Sequence, residues 1–305
     1  MRVAAIDQGT NTTRLLVADV DDAELSEVVR RSTITRLGEG VDERRRLLPL
    51  PIARTRNCLS DYRREAERLG ADRTLLVATS AVRDAENGEA FLGEIEWSYG
   101  FTTKLLSGHE EAELMLRGVG EVGPRTLVLD VGGGSTELVT TSSQVSVDVG
   151  SVRLTERFLH SDPPRAEELD ECAVFVRQQL PELDVEDAVG VAGTITSLAA
   201  LDLGLDEYDR ERVDGHRLSL AGVERQLQRL AALPLAERRE VPALEPERAP
   251  VIVGGAVIVR EVMARYGIDA LRVSERDILD GIAFEAATLP EPVEGDAPPG
   301  AYTCC

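Results

Sequence analysis

Three consecutive glycines follow an apolar run and precede two hydroxyl residues, in the segment VLDVGGGSTELV of residues 128–139. Glycine lets a backbone turn tightly and approach a ligand, and successive N–H groups in such a turn can surround one oxyanion. The residues after the glycines alternate in polarity and favour a strand, whereas a dinucleotide-binding turn leads into a helix. The pattern predicts a strand–turn–strand phosphate loop made of Gly132, Gly133, Gly134, Ser135 and Thr136.

Two carboxylates flank this turn. Asp130 ends the strand before the glycines, and Glu137 lies on the returning strand, so both can converge on one cation bound beside the phosphate. A flexible hairpin is the alternative, and it would need neither carboxylate. Asp7 ends a similar hairpin near the N-terminus and is a further candidate metal ligand.

Two more segments are candidates for contact with phosphate. The sequence VAGTITS of residues 191–197 places Gly193 and Thr194 between a predicted strand and a helix, where N–H groups can bind an anion. Alone, these residues fit an ordinary helix N-cap, but together with the glycine turn and the hairpin at residues 8–13 they favour a polyphosphate-type ligand. Arg83 follows the strand TLLVATSAV and can grip a phosphate group.

Transfer of a phosphoryl group to water also needs a group that orients or deprotonates the water. Glu110, Glu111 and Glu113 lie at the start of a predicted helix in SGHEEAEL. Acidic residues in a first turn commonly only complement the helix dipole, so the spacing alone leaves both roles open. No metal-binding spacing relates the histidines His109, His160 and His216.

The elements that must position these residues are predicted from apolar periodicity and turn residues. The predicted strands cover residues 2–7, 14–20, 25–36, 74–79, 102–106, 125–131, 136–140, 145–149, 187–191 and 271–273. The predicted helices cover residues 53–69, 86–99, 151–159, 165–180, 194–203, 221–232 and 250–266, with another that starts at residues 107–112. This alternation predicts an α/β fold with mixed sheets.

The glycine- and proline-containing segment of residues 118–124 is the predicted domain boundary. After it the pattern restarts, because residues 7–11 and 130–136 share a strand that ends in Asp, a turn with Gly and hydroxyl residues, and a second strand. Chance similarity of two short hairpins is the alternative to a duplication. A duplication predicts two similar domains that face each other across a cleft. The predicted domains are residues 1–120 and 121–289, followed by a disordered tail of residues 290–305.

Composition narrows the class of protein. The chain has 305 residues, 43% hydrophobic content, a net charge of −21 and a pI near 4.6, so we expect neither nucleic acid nor a membrane surface as a partner. Between Arg30 and Arg83, thirteen arginines and no lysine oppose seven acidic residues, a local balance of +6. This excess marks either solvated helix faces or an anion-attracting surface. The cysteine spacing and the lack of a signal peptide or a long apolar segment predict a cytoplasmic protein.

Six segments, in chain order, carry a resemblance to a known family: IDQGTNTTRLLVADV, ATSAVRDAEN, LLSGHEEAEL, LVLDVGGGSTELV, VGVAGTITSLAA and EPERAPVIVGGAVIV. Over roughly residues 2–287 the chain resembles the exopolyphosphatase/guanosine pentaphosphate phosphohydrolase (Ppx/GppA) family of the actin-like ATPase superfamily. The combination of DVGGGSTELV and SGHEEA is the specific part. The resemblance implies two ribonuclease-H-like domains with the active site between them.

The resemblance also implies Mg²⁺-assisted removal of the terminal phosphoryl group of inorganic polyphosphate by a homodimer, with guanosine pentaphosphate as a further substrate. It implies that Glu111 is the general base and that Asp130 and Glu137 bind the metal and the water. The positions that match the phosphate path of the family are Asn11, Thr12, Arg83, the Gly132–Thr136 loop, Gly193, Thr194 and Arg248. Longer relatives append helical domains, so two core domains favour short polyphosphate chains.

Two other functions fit part of the pattern. VGGA at residues 253–256 resembles the adenosine-contacting loop of an actin-like kinase or ATPase, although no motif for an acceptor sugar is evident. A non-catalytic sensor of polyphosphate or an alarmone would not need Glu111, Asp130 and Glu137 together.

Overall fold

A computed structural model of the chain describes residues 1–21 and 24–290. These residues separate into two units, one made of the described residues up to 120 and from Ile278 onward, the other of residues 121–277. The predicted disordered tail of residues 290–305 lies outside the described residues except for Pro290. No helix among the described residues is long and apolar enough to cross a membrane.

The strands, in chain order, are β1 (Arg2–Gln8), β2 (Thr12–Asp21), β3 (Glu24–Ile34), β4 (Arg73–Ala78), β5 (Thr102–Leu105), β6 (Thr126–Val131), β7 (Thr136–Val139), β8 (Gln144–Val147), β9 (Asp187–Val191), β10 (Arg217–Ser219) and β11 (Ala270–Val273). The helices are α1 (Val41–Arg44), α2 (Pro49–Leu69), α3 (Ser80–Asp84), α4 (Gly88–Tyr99), α5 (Gly108–Val119), α6 (Ser151–Phe158), α7 (Ala166–Gln179), α8 (Ala192–Asp202), α9 (Arg210–Val213), α10 (Leu220–Ala231), α11 (Leu235–Arg238), α12 (Ile252–Tyr266) and α13 (Ile278–Thr288).

The sheet of the first unit is mixed, with the strand order β3–β2–β1–β4–β5. β1, β2 and β3 form an antiparallel meander, and β4 and β5 continue from β1 in parallel. The central strand β1 is buried on both faces from Val3 to Gln8, as expected for a run of branched apolar residues. The carboxyl ends of β1, β4 and β5 therefore meet at one edge of this sheet.

The sheet of the second unit repeats this arrangement. Its order is β8–β7–β6–β9–β11, with β10 added antiparallel at the outer edge of β11. β6, β7 and β8 are antiparallel, and β9 and β11 run parallel to β6, so strand order and directions match those of the first unit. The predicted α/β fold with two mixed sheets is confirmed.

The predicted second domain, residues 121–289, differs from the observed unit at its C-terminal end. α13 was not predicted from the sequence, and it packs against α5 and β1 of the first unit. Its apolar side chains Ile278, Leu279 and Ile282 are buried, and Gly281 lies directly against the carbonyl oxygen of Leu114. The chain thus returns to the first unit after residue 277, because this apolar face is buried against α5 rather than within the second unit.

Other differences concern the ends of elements. The predicted helix of residues 86–99 is α4, which begins at Gly88, and the short helix α3 before it was not predicted. α2 starts earlier than predicted, at Pro49, because proline suits the first helical position, where no N–H bond is needed. It ends at Leu69 and is capped by Gly70, whose φ of 73° is a conformation that glycine adopts without strain.

Candidate active site

In the first unit, the carboxyl ends of three parallel strands carry the residues predicted to do chemistry. Asn11 follows β1, Arg83 lies in α3 after β4, and Glu111 lies in α5 after β5. Loops at this end of parallel strands are where α/β proteins bind ligands. The sheet topology therefore brings these three positions to the same edge.

Glu111 and Arg83 form an ion pair. Arg83 Nη1 donates to Glu111 Oε2 at 2.8 Å and to the carbonyl oxygen of Leu106 at 2.6 Å. Glu111 is 5% exposed, which is rare for a glutamate unless it has a partner. Arg83 thus fixes the position of this carboxylate.

The neighbouring glutamate has a different task. Glu110 forms a capping box with Ser107, in which Oε2 accepts the backbone N–H of Ser107 at 2.9 Å. The backbone N–H of Ser107 also lowers the pKa of the Glu110 carboxyl from its ordinary value. Glu110 therefore stabilises the start of α5, which is one of the two roles that the sequence left open. Glu111 is instead buried against Arg83, so the helix-capping role does not fall on Glu111.

Asn11 has a buried side chain that lacks partners. Its backbone carbonyl accepts the N–H groups of Thr35 and Arg36, but neither Nδ2 nor Oδ1 has a hydrogen bond to any described residue. A buried amide without partners costs free energy, so such a group in a native protein points to a ligand or an ordered water. Thr12, at the start of β2, is half-buried beside it.

Asp7 has an ion-pair partner of its own. Asp7 on β1 lies directly across from Arg14 on β2, and Arg14 Nη2 donates to Asp7 Oδ2 at 2.5 Å. The guanidinium of Arg14 thus compensates part of the charge of this carboxylate, and the role of Asp7 as a metal ligand stays a prediction.

In the second unit, the two positions that correspond to Asp7 and Arg14 both carry acidic residues. Asp130 on β6 lies directly across from Glu137 on β7, and Ser146 of β8 donates to Glu137 Oε1 at 2.9 Å. Residues paired across two strands project from the same face, so the two carboxylates share one side of the sheet. Both are buried.

This pair is compatible with one mode of Mg²⁺ binding. In the part of the chain that the structure describes, no group of three or more His, Cys, Asp or Glu side chains is arranged to hold a metal ion. Mg²⁺ commonly uses only one or two carboxylates and completes its shell with waters and substrate phosphates. Asp130 and Glu137 fit this mode, with Mn²⁺ as the closest substitute.

The glycine turn is held by the helix that follows two strands later. The carbonyl oxygen of Gly132 accepts the N–H of Ser151, and that of Gly133 accepts the N–H of Val152 at 2.8 Å, so the turn caps the start of α6. Arg153 Nε adds a bond to the carbonyl oxygen of Gly134 at 2.8 Å. The carbonyl groups of the turn are therefore engaged inside the protein.

The N–H groups of the turn differ in availability. The N–H of Gly132 bonds to the carbonyl oxygen of Ser135 and closes the turn. The N–H groups of Gly133 and Gly134 have no hydrogen-bond acceptor among the described residues. Ser135 is buried, and the Thr136 hydroxyl donates to the carbonyl oxygen of Val149 at 2.5 Å. Two backbone donors of the predicted phosphate loop are thus left for a ligand, while Thr136 has a structural bond.

Gly193, Thr194 and Arg248 lie together at the start of α8. A Cβ atom on Gly193 would lie 2.5 Å from Arg248 Nη1, so the guanidinium rests directly against this glycine. The Thr194 hydroxyl donates to the carbonyl oxygen of Val131 at 3.0 Å, which connects α8 to the end of β6. Ala192 has a φ of 61°, a strained value for a residue with a Cβ atom, and such strain is found at functional sites.

Several contacts that shape the site were missed by reasoning from the sequence. Arg14 pairs with Asp7, Ser146 holds Glu137, and Gly150 lies against the glycine turn. Strand register could have located Arg14, because the hairpin of β1 and β2 places it opposite Asp7. Nothing local in the sequence indicates that α6 returns to the turn.

The comparisons with known proteins agree with the fold. A model of the Ppx/GppA phosphatase family matches residues 16–289. Exopolyphosphatase 2 of Mycobacterium tuberculosis is 43% identical over 314 aligned residues, which cover 94% of this chain and 98% of that protein. The bifunctional 3-dehydroquinate synthase/phosphatase of Fusobacterium nucleatum is 31% identical over 92% of this chain and 46% of its own length.

Solved structures extend this similarity to the backbone. A crystal structure of an exopolyphosphatase-like protein has a TM-score of 0.87 and 36% identity, covering 93% of this chain and 98% of that one. The crystal structure of the Aquifex aeolicus member of the Ppx/GppA family has a TM-score of 0.76 and 30% identity, covering 94% and 97%.

Proposed function

The chain belongs to the Ppx/GppA phosphatase family, and on this basis we propose that it is an exopolyphosphatase. It would hydrolyse the terminal phosphoanhydride of inorganic polyphosphate and release orthophosphate. The observation that carries the proposal is the 43% identity to Exopolyphosphatase 2 along almost the whole of both chains. The described contacts of Glu111, Asn11 and the glycine turn support it.

Glu111 would act as the general base. Its carboxylate takes a proton from a water molecule, the water oxygen forms a bond to the terminal phosphorus, and the bridging P–O bond breaks. The electron pair of that bond stays on the shortened polyphosphate chain. Burial shields the carboxylate from bulk water, and the bond from Arg83 Nη1 sets its orientation, so one base can face one water.

The phosphoryl oxygens would be held by the residues predicted for that task. In the second unit, the N–H groups of Gly133 and Gly134 would donate to anionic oxygens. The guanidinium of Arg248, which also bonds to Glu245 Oε2 at 3.0 Å, would be a further donor. In the first unit, the buried amide of Asn11 would donate from Nδ2, which has no acceptor among the described residues. We assign the same role to Thr12, whose hydroxyl lies next to this amide in the chain.

The reaction places negative charge on the terminal phosphoryl oxygens and on the leaving group. Asp130 and Glu137 would hold a Mg²⁺ ion, whose charge neutralises phosphoryl oxygens when it is bound. Asp7, which is paired with Arg14, is the third candidate ligand for this ion.

A substrate panel separates this proposal from related activities. Orthophosphate release is measured from medium-length polyphosphate, guanosine pentaphosphate and ATP, with and without Mg²⁺. We expect polyphosphate to be turned over and guanosine pentaphosphate to react through the same phosphoanhydride chemistry. Transfer of phosphate from ATP to an acceptor, without release from polyphosphate, would instead identify a kinase.

The role of Glu111 is tested by Glu111→Gln, with Glu113→Gln as the matched control on an exposed face of the same helix. Loss of a general base lowers kcat by about 10²–10⁴ and leaves KM largely unchanged. The control should retain the kcat of the wild type. Equal kcat values for Glu111→Gln and Glu113→Gln would remove Glu111 from the mechanism.

A further inference from the structure

In the arginine-rich segment of residues 30–83, many arginines form ion pairs with carboxylates of the described residues and some do not. Most of its arginines have a carboxylate partner, and the pairs are Arg30 with Glu27 and Asp280, Arg31 and Arg68 with Glu65, Arg54 with Glu39, Arg56 with Glu94, Arg63 with Glu67, Arg64 with Asp61 and Arg83 with Glu111. The predicted anion-attracting surface therefore does not extend evenly over the whole segment, because a carboxylate partner compensates part of the charge of a guanidinium group.

Three consecutive arginines differ from this pattern. Arg44, Arg45 and Arg46 are all exposed, and none of them has a carboxylate within ion-pair distance among the described residues. Asp42 and Glu43 precede them, so residues 42–46 carry a net charge of +1 in a chain of −21. We call these three residues the arginine triplet.

The backbone of the arginine triplet is held in place. Arg45 has a φ of 53°, its N–H bonds to the carbonyl oxygen of Val41, and its own carbonyl oxygen accepts the N–H of Glu86 at 2.8 Å. Next to the triplet, the side chain of Asn87 donates to the carbonyl oxygen of Leu47 and accepts its N–H. The arginines thus project from a fixed loop, which reduces the entropy lost when they bind a ligand.

The same loop is hydrogen-bonded to two chain segments that carry candidate site residues of the first unit. Before the triplet, the N–H of Arg36 bonds to the carbonyl oxygen of Asn11 at 2.9 Å, and the N–H of Gly38 bonds to that of Thr10 at 2.8 Å. After it, the bond between Arg45 and Glu86 joins the loop to the segment that begins with Arg83. The loop that carries the triplet is therefore hydrogen-bonded to both chain segments, the one with Asn11 and the one that follows Arg83.

We propose that Arg44, Arg45 and Arg46 form a distal subsite, which binds phosphoryl groups of polyphosphate beyond those at the reacting end. This inference rests on the proposed function and adds to it a determinant of chain length. A guanidinium group donates two parallel hydrogen bonds to a phosphate, and a polyphosphate chain offers a series of such groups. The acidic remainder of the protein repels the polymer, so a local cationic group gains importance for its binding.

The test compares two double variants with the same change in charge. Arg44→Gln/Arg46→Gln removes two guanidinium groups of the triplet, and Arg64→Gln/Arg68→Gln removes two exposed ones from α2. Loss of two exposed contacts should raise KM for medium-length polyphosphate about 2- to 30-fold, with kcat and the KM for tripolyphosphate unchanged. The variant should also show a weaker dependence of KM on salt, because fewer counterions are displaced.

The outcomes separate this inference from the proposed function. Equilibrium binding of medium-length polyphosphate is measured by titration calorimetry beside orthophosphate release. If the wild-type protein binds the polymer without hydrolysing it, the proposed exopolyphosphatase activity is overturned. The distal subsite is still supported in that case if only the triplet variant binds the polymer more weakly. The subsite is overturned when both double variants bind equally well, when tripolyphosphate is affected as strongly as the polymer, or when the wild type binds no polyphosphate.

Discussion

A single methyl group at Gly150 should displace the glycine turn. Gly150 precedes α6 and has an extended backbone, with φ of −135° and ψ of 159°, which alanine adopts without strain. A Cβ atom there would lie well inside 3.0 Å of the carbonyl oxygen of Gly133 and the nitrogen of Gly134. Both are backbone atoms that cannot rotate away, so Gly150→Ala must push the turn and the start of α6 apart.

The expected magnitude follows from this clash. Non-bonded carbon atoms prefer separations of about 3.5–4.0 Å, so the turn has to move by roughly 1 Å. Overpacking of this kind costs about 1–3 kcal/mol of stability. A displacement of about 1 Å in a catalytic site can reduce the rate about 10²-fold, so we expect kcat/KM for polyphosphate to fall by that order.

The assay measures urea unfolding and orthophosphate release on the same preparation. Gly93→Ala is the control, because Gly93 is an exposed helical residue of α4 with no atom near the added methyl group. It should keep the kinetics of the wild type and gain about 0.4–1 kcal/mol of stability. If Gly150→Ala loses stability but keeps kcat/KM, the glycine turn does not bind the reacting phosphate.

Three further substitutions probe other parts of the second unit. Gly193→Ala should raise KM for polyphosphate about tenfold with little effect on stability, because the methyl group displaces only the flexible end of Arg248; an unchanged KM would argue against a role for Arg248. Thr194→Val should lower the free energy of unfolding by about 1–3 kcal/mol, measured in urea, because a buried backbone carbonyl loses its donor; an unchanged midpoint would show that this bond contributes nothing. The backbone N–H of Arg165 lowers the pKa of Glu168 from 4.5 to about 2, so this carboxylate stabilises the fold above pH 4.5 and the effect is lost as the pH falls through about 2. The urea midpoints of the wild type and Glu168→Gln should therefore differ at neutral pH and converge below about pH 2, and a constant difference would contradict this origin.

Local patterns in the sequence were sufficient for much of the fold. The hairpin of β1 and β2 and that of β6 and β7 follow from alternating apolar residues with glycine and hydroxyl residues between them. Their similarity led to the duplicated strand order, which both sheets show. These features depend on residues that are near one another in the chain, so periodicity records them.

Features that depend on distant contacts were not accessible from the sequence. α13 joins the first unit because its apolar face packs on α5, more than 150 residues earlier in the chain. The capping of α6 by the glycine turn and the ion pairs of Arg31 with Glu65 and of Arg56 with Glu94 are contacts of the same kind. The sequence shows how many arginines the segment of residues 30–83 contains, but only the structure shows which of them form ion pairs and which belong to the arginine triplet.

The candidate site likewise combines features that the sequence predicts with features that only the structure shows. The residue types at Glu111, Asp130 and Glu137 were assigned from motifs and a resemblance, and their roles stay predictions. The difference between Asp7 and Asp130 needed strand register, since the residue across from Asp7 is Arg14 and the one across from Asp130 is Glu137. Strand register thus shows that two similar aspartates have different residues opposite them on the neighbouring strand.

The products of polyphosphate hydrolysis test the central proposal most directly. Purified wild-type protein is incubated with medium-length polyphosphate and Mg²⁺ or Mn²⁺, and the products are resolved by gel electrophoresis and an orthophosphate assay. An exopolyphosphatase should release orthophosphate as the sole small product while the polymer shortens from its end. Absence of orthophosphate with either metal ion, or the appearance of oligophosphate fragments from internal cleavage, would contradict the proposal.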